Sequence, residues 1–379
     1  MAPQADTDPE GVRARIEALP GAAEVRAAAS ETAVDAFFVG GSVRDALLGR
    51  GRADLDVLVV GDHLALARAL GGETVVHDRF ATATVAGPHG SIDLARARAE
   101  SYPSPGALPE VRPAGLAEDL ARRDFTINAM AVPVTQPGEL IDPHGGRADL
   151  RSGLLRVLHD GSFSDDPTRA LRAARYAARL GFEIDDRTLE LLRAADLATV
   201  SADRVAAELA RIAGERELRG ALELVRDWEL IALDPELPAL AAAAAGLVSV
   251  EPWADLTDRS AIVVDATLGT ALAQARALAA EPPESPWHAV AAARGRSPVV
   301  LVLARVIGAE WLDTYLTQWS RVRLEITGED LLAEGVEQGP AVGRGLSAAL
   351  RAKLEGTTRG RADELRVALE GARGPETLL

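Results

Sequence analysis

The chain contains no cysteine, which excludes disulfides, thiolate nucleophiles and any zinc site built on cysteine. Histidine is scarce: the six present are scattered, and none falls in a metal-ligand spacing such as HExxH. A metal, if the protein uses one, must therefore rest on carboxylates. Lys353 is the only lysine, so the basic residues are otherwise all arginine, which a GC-rich genome explains without any appeal to function. No uninterrupted apolar run is long enough to cross a bilayer. The opening MAPQADTDPEGVR carries early acids and no apolar run after a basic cluster, unlike a secretory signal. A cytoplasmic protein with no membrane partner is expected. Positive charge is also in deficit, with 41 Lys and Arg against 57 Asp and Glu and a formal charge of −16. Coating nucleic acid by charge alone is thereby excluded, because such binding draws its affinity from neutralised phosphates. An RNA partner requires local basic patches.

What is present suffices for a large folded protein: 379 residues, 47% of them apolar. Residues 1–25 are polar, with proline and acids, and predict a frayed arm ending in helix. From about 35 to 135, β-rich runs (AFFVG, DLDVLVV, ETVVH, TATVAG, SIDLA) alternate with helical stretches such as SVRDALLG and HLALARAL. Beyond residue 150 the pattern becomes successive amphipathic helices, broken near 233–238, 251–256 and 281–287. The pattern indicates an α/β or α+β head before an all-helical remainder.

Chemistry concentrates in FFVGGSVRDALLGRGRADLDVLVV. An apolar strand runs into Gly40 and Gly41, and a helix opens at Ser42, Val43, Arg44 and Asp45. Glycines let the backbone approach a ligand, and the N–H groups and dipole of a helix start favour phosphate; an ordinary tight turn is the plain alternative. Asp54 and Asp56 then flank Leu55, and the period-two alternation of a strand points both carboxylates to one side. Two acids on one face repel unless a cation lies between them, and hard oxygen ligands suit Mg²⁺, which also bridges nucleotide phosphates. Asp93, in the strand SIDLARARAE, is a possible third carboxylate or a plain strand-end acid.

With this turn and acid pair, the chain resembles the class II branch of the polymerase-beta-like nucleotidyltransferases. That branch holds bacterial tRNA CCA-adding enzymes, their CC-adding and A-adding relatives, and poly(A) polymerases. Its GGxVRD turn and DxD pair are matched by Gly40 to Asp45 and by Asp54 and Asp56, and its RRDFTxNA motif by Arg122 to Ala129. The resemblance implies that Arg123, Asp124 and Asn128 contact the ribose and phosphates of an incoming nucleotide; without it, RRD is a surface charge cluster and Asn128 a helix cap. The segment SDDPTRALRAARYAARLGFEID is similar to the family's EDxxR motif and Arg-rich helix, with Asp165 in the first position. By that likeness Asp166 and Arg169 read the Watson–Crick edge of the base, an acceptor and a donor suited to cytosine and adenine. Asp166 before Pro167 also fits an N-cap with proline at the first helical position. Arg172 and Arg175 of the same helix could reach triphosphate or RNA, while Leu171, Ala174 and Ala178 form its packing stripe. The tail segment ITGEDLLAEGVEQGPAVGRGLSAALRAKLEG resembles that of bacterial CCA-adding enzymes, and its Arg344, Arg351 and Lys353 offer cations to an RNA backbone.

The resemblance implies the α+β form, with a mixed sheet in the head, and five segments: an N-terminal arm (1–25), a catalytic head (26–150), a helical neck that recognises the base (151–215), a helical body (216–300) and a tRNA-binding tail (301–379). It implies template-independent addition of CMP and AMP from CTP and ATP to the 3′ end of tRNA, by in-line transfer with two Mg²⁺ ions. Partial CC or A addition, poly(A) synthesis and a non-catalytic nucleotide-binding module are the alternatives. One departure bears on the product: the family's HxRFGTA stretch is here His77 to Ala83 with Ala81 in the glycine position. Oligomeric state is not legible.

Overall fold

The computed structural model describes residues 9–50, 55–77, 81–87, 90–136, 139–254 and 256–374. Internal contacts divide the chain into two compact units, Met1–Leu233 and Asp234–Leu379.

The strands of the first unit are β1 (Asp35–Val39), β2 (Leu55–Val60), β3 (Glu73–His77), β4 (Thr82–Gly87), β5 (Gly90–Arg96), β6 (Arg98–Ser101), β7 (Glu110–Pro113), β8 (Ala131–Pro133), β9 (Leu154–Leu155) and β10 (Glu183–Ile184). Its helices are α1 (Pro9–Glu17), α2 (Ala22–Thr32), α3 (Gly40–Leu47), α4 (His63–Leu70), α5 (Leu116–Ala121), α6 (Gly146–Ser152), α7 (Ser162–Asp165), α8 (Thr168–Leu180), α9 (Asp186–Arg193), α10 (Ala202–Ala213) and α11 (Leu218–Asp227). A six-stranded sheet runs in the order β3-β4-β5-β2-β1-β8. Its pairs are antiparallel except β2 with β5, which run parallel. That exception sets Asp56 directly beside Asp93.

Alternating apolar residues explain the sheet's core: Val39 and Leu58 pack with Ala97, Leu120 and Ala131 in one buried cluster. Of the expected N-terminal arm, the described part is helical, as foreseen, but it is packed rather than frayed. Val12 and Ile16, one helical turn apart on α1, are 1% and 0% exposed, and α1 packs on α3. Strands also persist past residue 150 as the parallel pair β9–β10. Each follows a helix that ends at a left-handed glycine, Gly153 (φ 66°) and Gly181 (φ 71°). Two-residue strands carry no detectable periodicity, hence their absence from the sequence reading.

Among its described residues the second unit is wholly helical: α12 (Leu237–Leu247), α13 (Arg259–Leu268), α14 (Ala271–Ala280), α15 (Pro286–Ala293), α16 (Pro298–Ile307), α17 (Trp311–Thr317), α18 (Gly328–Ala333), α19 (Pro340–Leu354) and α20 (Gly360–Arg373), with one short 3₁₀ turn. Ser285 and Ser297 cap α15 and α16, each followed by proline at the first helical position. α16 is the hub: Val299 to Ala304 are all buried, and α12 and α14 pack on it. Among the described residues, no single helix is long and apolar enough to cross a membrane.

α19 and α20 pack backbone against backbone. A Cβ on Gly345 would lie 2.6 Å from both the Ala368 carbonyl oxygen and Leu331 Cδ2, and one on Gly371 would lie 2.5 Å from Ala348 Cβ. Gly345→Val is therefore expected to destabilise this unit by about 1–3 kcal/mol, the usual cost of overpacking. A urea midpoint equal to that of the unmodified protein would refute this packing. The cations expected to face RNA are engaged inside the unit: Arg344 donates to the Ala372 carbonyl, Arg351 to Glu355, and Lys353 to the fully buried Glu364.

Candidate active site

β1 ends at Val39 in extended conformation (φ −141°, ψ 174°), and Gly40 at once turns to φ 59° to open α3. A side chain here would be strained by the dihedral. It would also collide: a Cβ on Gly40 would lie 3.1 Å from Arg123 Nη1 and 3.5 Å from Asp56 Oδ2. Turn, guanidinium and carboxylate thus converge on one point. Gly41 and Ser42 follow, buried, and the backbone N–H of Asp56 donates to Ser42 Oγ at 2.8 Å, tying the first turn of α3 to β2.

Asp56 and Asp93 occupy paired positions on β2 and β5 and line the same cavity. Neighbouring strands lie about 4.8 Å apart, so the two carboxylates share a face within reach of a common cation. Thr84 Oγ1 donates to Asp93 Oδ1 at 2.7 Å and fixes its orientation. Asp54 lies outside the described residues, as do Asp78, Arg79 and Phe80. Among the described residues no three His, Asp or Glu side chains form a ready metal cluster. Ala81, in the family's glycine position, takes φ 48°, a conformation that glycine adopts without strain.

A buried chain of charge links the predicted nucleotide-contacting residues. Arg44, 2% exposed, donates through Nε and Nη2 to Asp45 (2.8 and 3.0 Å) and through Nη1 to Asn128 Oδ1 (2.7 Å). Asn128 Nδ2 donates to Asp124 Oδ1 at 3.0 Å, and the Phe125 N–H donates to the same oxygen at 2.9 Å. Asp124 Oδ2 accepts from both Nε (3.0 Å) and Nη2 of Arg172. Burial alone would raise the Asp124 carboxyl, but the Arg172 guanidinium and the Asn128 amide outweigh it and hold the group well below the usual carboxylate range. Both oxygens of Asp124 are engaged within the protein, so a ligand contact there has to displace one of these donors.

Arg123 is anchored by the fully buried Asp119, through Nε at 3.2 Å and Nη2 at 3.0 Å, and its Nη1 donates to the Asn128 carbonyl. Asp166 Oδ1 accepts from Thr168 N (3.0 Å), Thr168 Oγ1 (2.6 Å) and Arg204 Nη2 (2.8 Å). Asp166 thus ends α7 and braces the start of α8 through Thr168, with Pro167 rather than Asp166 in the N-cap position, and its Oδ2 is left without a hydrogen bond among the described residues. Arg169, 6% exposed, donates to Ser162 Oγ and to the Arg122 carbonyl, each at 2.8 Å. The packing surface of α8 is broader than a Leu171, Ala174 and Ala178 stripe: Ala170, Ala173, Ala177 and Leu180 are buried too, whereas Ala178 is only partly covered. Alanine at so many positions lets the helix sit close on several sides.

All of the predicted site residues that are described line one cavity of about 730 Å³. Eight arginines and five carboxylates surround it, an excess of positive charge suited to a triphosphate. Two further groups hold the arginines of α8. Tyr176 presents its ring to the guanidiniums of Arg44, Arg172 and Arg175, at 5.2, 5.9 and 4.6 Å from its centroid. Glu208 on α10 is 4% exposed and lies 3.8 Å from Arg172 and 3.9 Å from Arg175. Neither belongs to the predicted site. Glu208 had a signal: it interrupts the buried stripe Val205, Leu209, Ile212 at the i+3 position. A carboxylate on an apolar face needs a cation. Asp119 and Arg204 carried no such mark.

A family model described as the poly A polymerase head domain matches residues 36–156. The CC-adding tRNA nucleotidyltransferase of Deinococcus radiodurans is 37% identical over 356 residues, covering 89% of each chain. The A-adding tRNA nucleotidyltransferase of Halalkalibacterium halodurans is 44% identical over 202 residues, 50% of this chain and 47% of that relative's length. The solved structure of a CCA-adding enzyme in complex with ATP superposes with a TM-score of 0.74 at 26% identity and covers 96% of both chains.

Proposed function

The chain belongs to the tRNA nucleotidyltransferase family, and on that premise we propose that it adds CMP and AMP from CTP and ATP to the 3′ end of tRNA without a template. Enzymes of this family use divalent metal ions. Mg²⁺, as two ions, is our reading here. The carrying observation is the pairing of Asp56 with Asp93 beside the Gly40 turn, in a cavity otherwise rich in arginine. These donors fit the ion: they are hard oxygens on one sheet face, with no sulfur or imidazole among them. Asp56 would hold it with Asp54, and Asp93 would serve as the third carboxylate. When bound, a divalent ion favours the ionised 3′-hydroxyl and neutralises charge that develops on the triphosphate.

The remaining steps fall to the chain's own residues. Gly40 and Gly41 bring backbone N–H groups of the α3 start to the phosphates, with Arg44 and Arg123 behind them. Asp124 and Asn128 keep those guanidiniums and Arg172 in fixed positions and meet the ribose. Asp166, through its unused Oδ2, and Arg169 read the base edge of cytosine or adenine. Positioning of this kind is most of what phosphoryl transfer asks of a protein, since the 3′-hydroxyl attacks the α-phosphate in line and pyrophosphate leaves. In this reading residues 26–150 are the catalytic head, 151–215 the base-reading neck, 216–300 the body and 301–379 the tRNA-binding tail, with 1–25 preceding the head.

A second reading, addition of CC only, is favoured by the function of the Deinococcus relative, matched over 89% of its length, and by Ala81 in the glycine position. Three tRNAs ending before CC, after C and after CC, each incubated with labelled CTP or ATP, separate the outcomes. C added to the first two and A to the third is the expected result. A third tRNA that stays unextended selects the CC-only reading, and no incorporation on any of them refutes the assignment.

A further inference from the structure

Beside the nucleotide cavity lies a second one of about 850 Å³, which shares Arg175 and Arg179 with it. Five of its lining residues are arginines, against Glu215 and Glu217. The arginines of the first cavity are mostly saturated: Arg44 by Asp45, Arg123 by Asp119, Arg172 by Asp124. In the second, Arg211 pairs with Glu208 and Arg175 with Glu215, but Arg50 and Arg216 keep donors to spare. The guanidinium of half-buried Arg50 makes no hydrogen bond or ion pair among the described residues. Arg216, with a side chain 96% exposed, only approaches Glu217 at 4.0 Å. Arg175 is 8% exposed; its Nη1 donates to Glu215 at 3.2 Å, but its buried Nε has no hydrogen-bond partner, with the Glu208 carboxylate 3.9 Å away. A nine-tenths-buried guanidinium with an unused N–H is a group held ready for an anion.

We propose that this second cavity binds the sugar–phosphate backbone of the RNA strand immediately upstream of the reacting 3′-hydroxyl, with Arg50, Arg175 and Arg216 neutralising its phosphates. The proposal rests on the transferase reading above and deepens it. A strand whose end lies at Asp56 has to continue out of the nucleotide cavity, and the shared arginines make this neighbour a continuous positive route. The need is specific to this chain: at a net charge of −16 it repels RNA at long range, so phosphate affinity must come from local clusters. Pyrophosphate is the competing occupant of the same chemistry. It is smaller than this cavity calls for, and it leaves from the triphosphate side that the first cavity already surrounds.

The double variant Arg50→Ala/Arg216→Ala tests the assignment, because neither residue has been placed in the nucleotide site. The KM for tRNA should rise about ten-fold while kcat and the KM for CTP stay unchanged, the latter also reporting an intact fold. Binding of tRNA, followed by fluorescence anisotropy over a KCl series, should lose about 1.4 from its log–log salt slope, roughly 0.7 for each single-strand phosphate contact removed. An unchanged tRNA KM and salt slope overturns the proposal. So does weaker inhibition by pyrophosphate with tRNA KM unaffected, which would assign the cavity to the leaving group. The unsubstituted protein, run in parallel, keeps the two readings apart: if it extends no tRNA, the transferase reading falls, whereas a normal wild type with an indifferent variant removes only this site.

Discussion

Asp56→Asn is expected to lower CMP transfer to tRNA by about 10³-fold or more, roughly 4 kcal/mol of barrier, with little change in thermal stability. The substitution keeps the shape of the side chain and removes only its charge. The fold should change little, because Asp56 is partly exposed at the cavity wall, its bond to Ser42 is made by its backbone N–H, and asparagine keeps a side-chain oxygen in the same place. The reaction should change greatly, since a hard cation held on a strand face depends on formal negative charge rather than on dipoles. Asp93→Asn, assayed alongside, measures how far the third carboxylate shares that task, and Thr84→Val reports whether the 2.7 Å hydrogen bond to Asp93 matters by orienting it. The half-saturating Mg²⁺ concentration should rise in both aspartate variants. Retention of more than a tenth of normal turnover by Asp56→Asn would remove it from the metal site.

The site residues legible in the sequence are those whose roles follow from local geometry. Two acids on alternate positions of a strand, and two glycines between a strand and a helix, state their own arrangement. Arg44, Asp124, Asn128 and Arg172 were recognisable only through motif likeness, and their mutual engagement was not legible at all. It joins four positions, two of them 84 residues apart, and no periodicity encodes which guanidinium meets which carboxylate. The tail shows the same limit from the other side. Arg344, Arg351 and Lys353 lie in a segment resembling an RNA-binding one, and the sequence did not show that they also bond within their own unit, to the Ala372 carbonyl, Glu355 and Glu364. The helical second half was readable because serine caps and first-turn prolines mark helix starts. Boundaries fixed by two-residue strands, and the burial of α1 against the head, were not.

Asp124→Ala should cost about 3 kcal/mol of stability near neutral pH, the low end of the penalty for breaking a buried ion pair, because the orphaned Arg172 side chain is 31% exposed. Asp124 is 7% exposed, and without it Arg172 loses both of its donated bonds and Asn128 loses the acceptor that fixes its amide. The effect has a pH signature with a definite sign. The folded carboxyl lies well below its unfolded value of about 3.9, so its contribution is fully present above that value and fades as pH falls through the folded one. Urea midpoints of wild type and Asp124→Ala should therefore differ most between about pH 5 and 7, and converge as the buffer is taken below about pH 4. Comparing the two proteins at each pH cancels the titration of other acids. Arg172→Ala completes a double-mutant cycle: because the first substitution already orphans the second residue, the pair should cost well under the sum of the singles. Additive losses, or a gap that widens in acid, would mean that the Asp124–Arg172 contact does not carry the stability assigned to it.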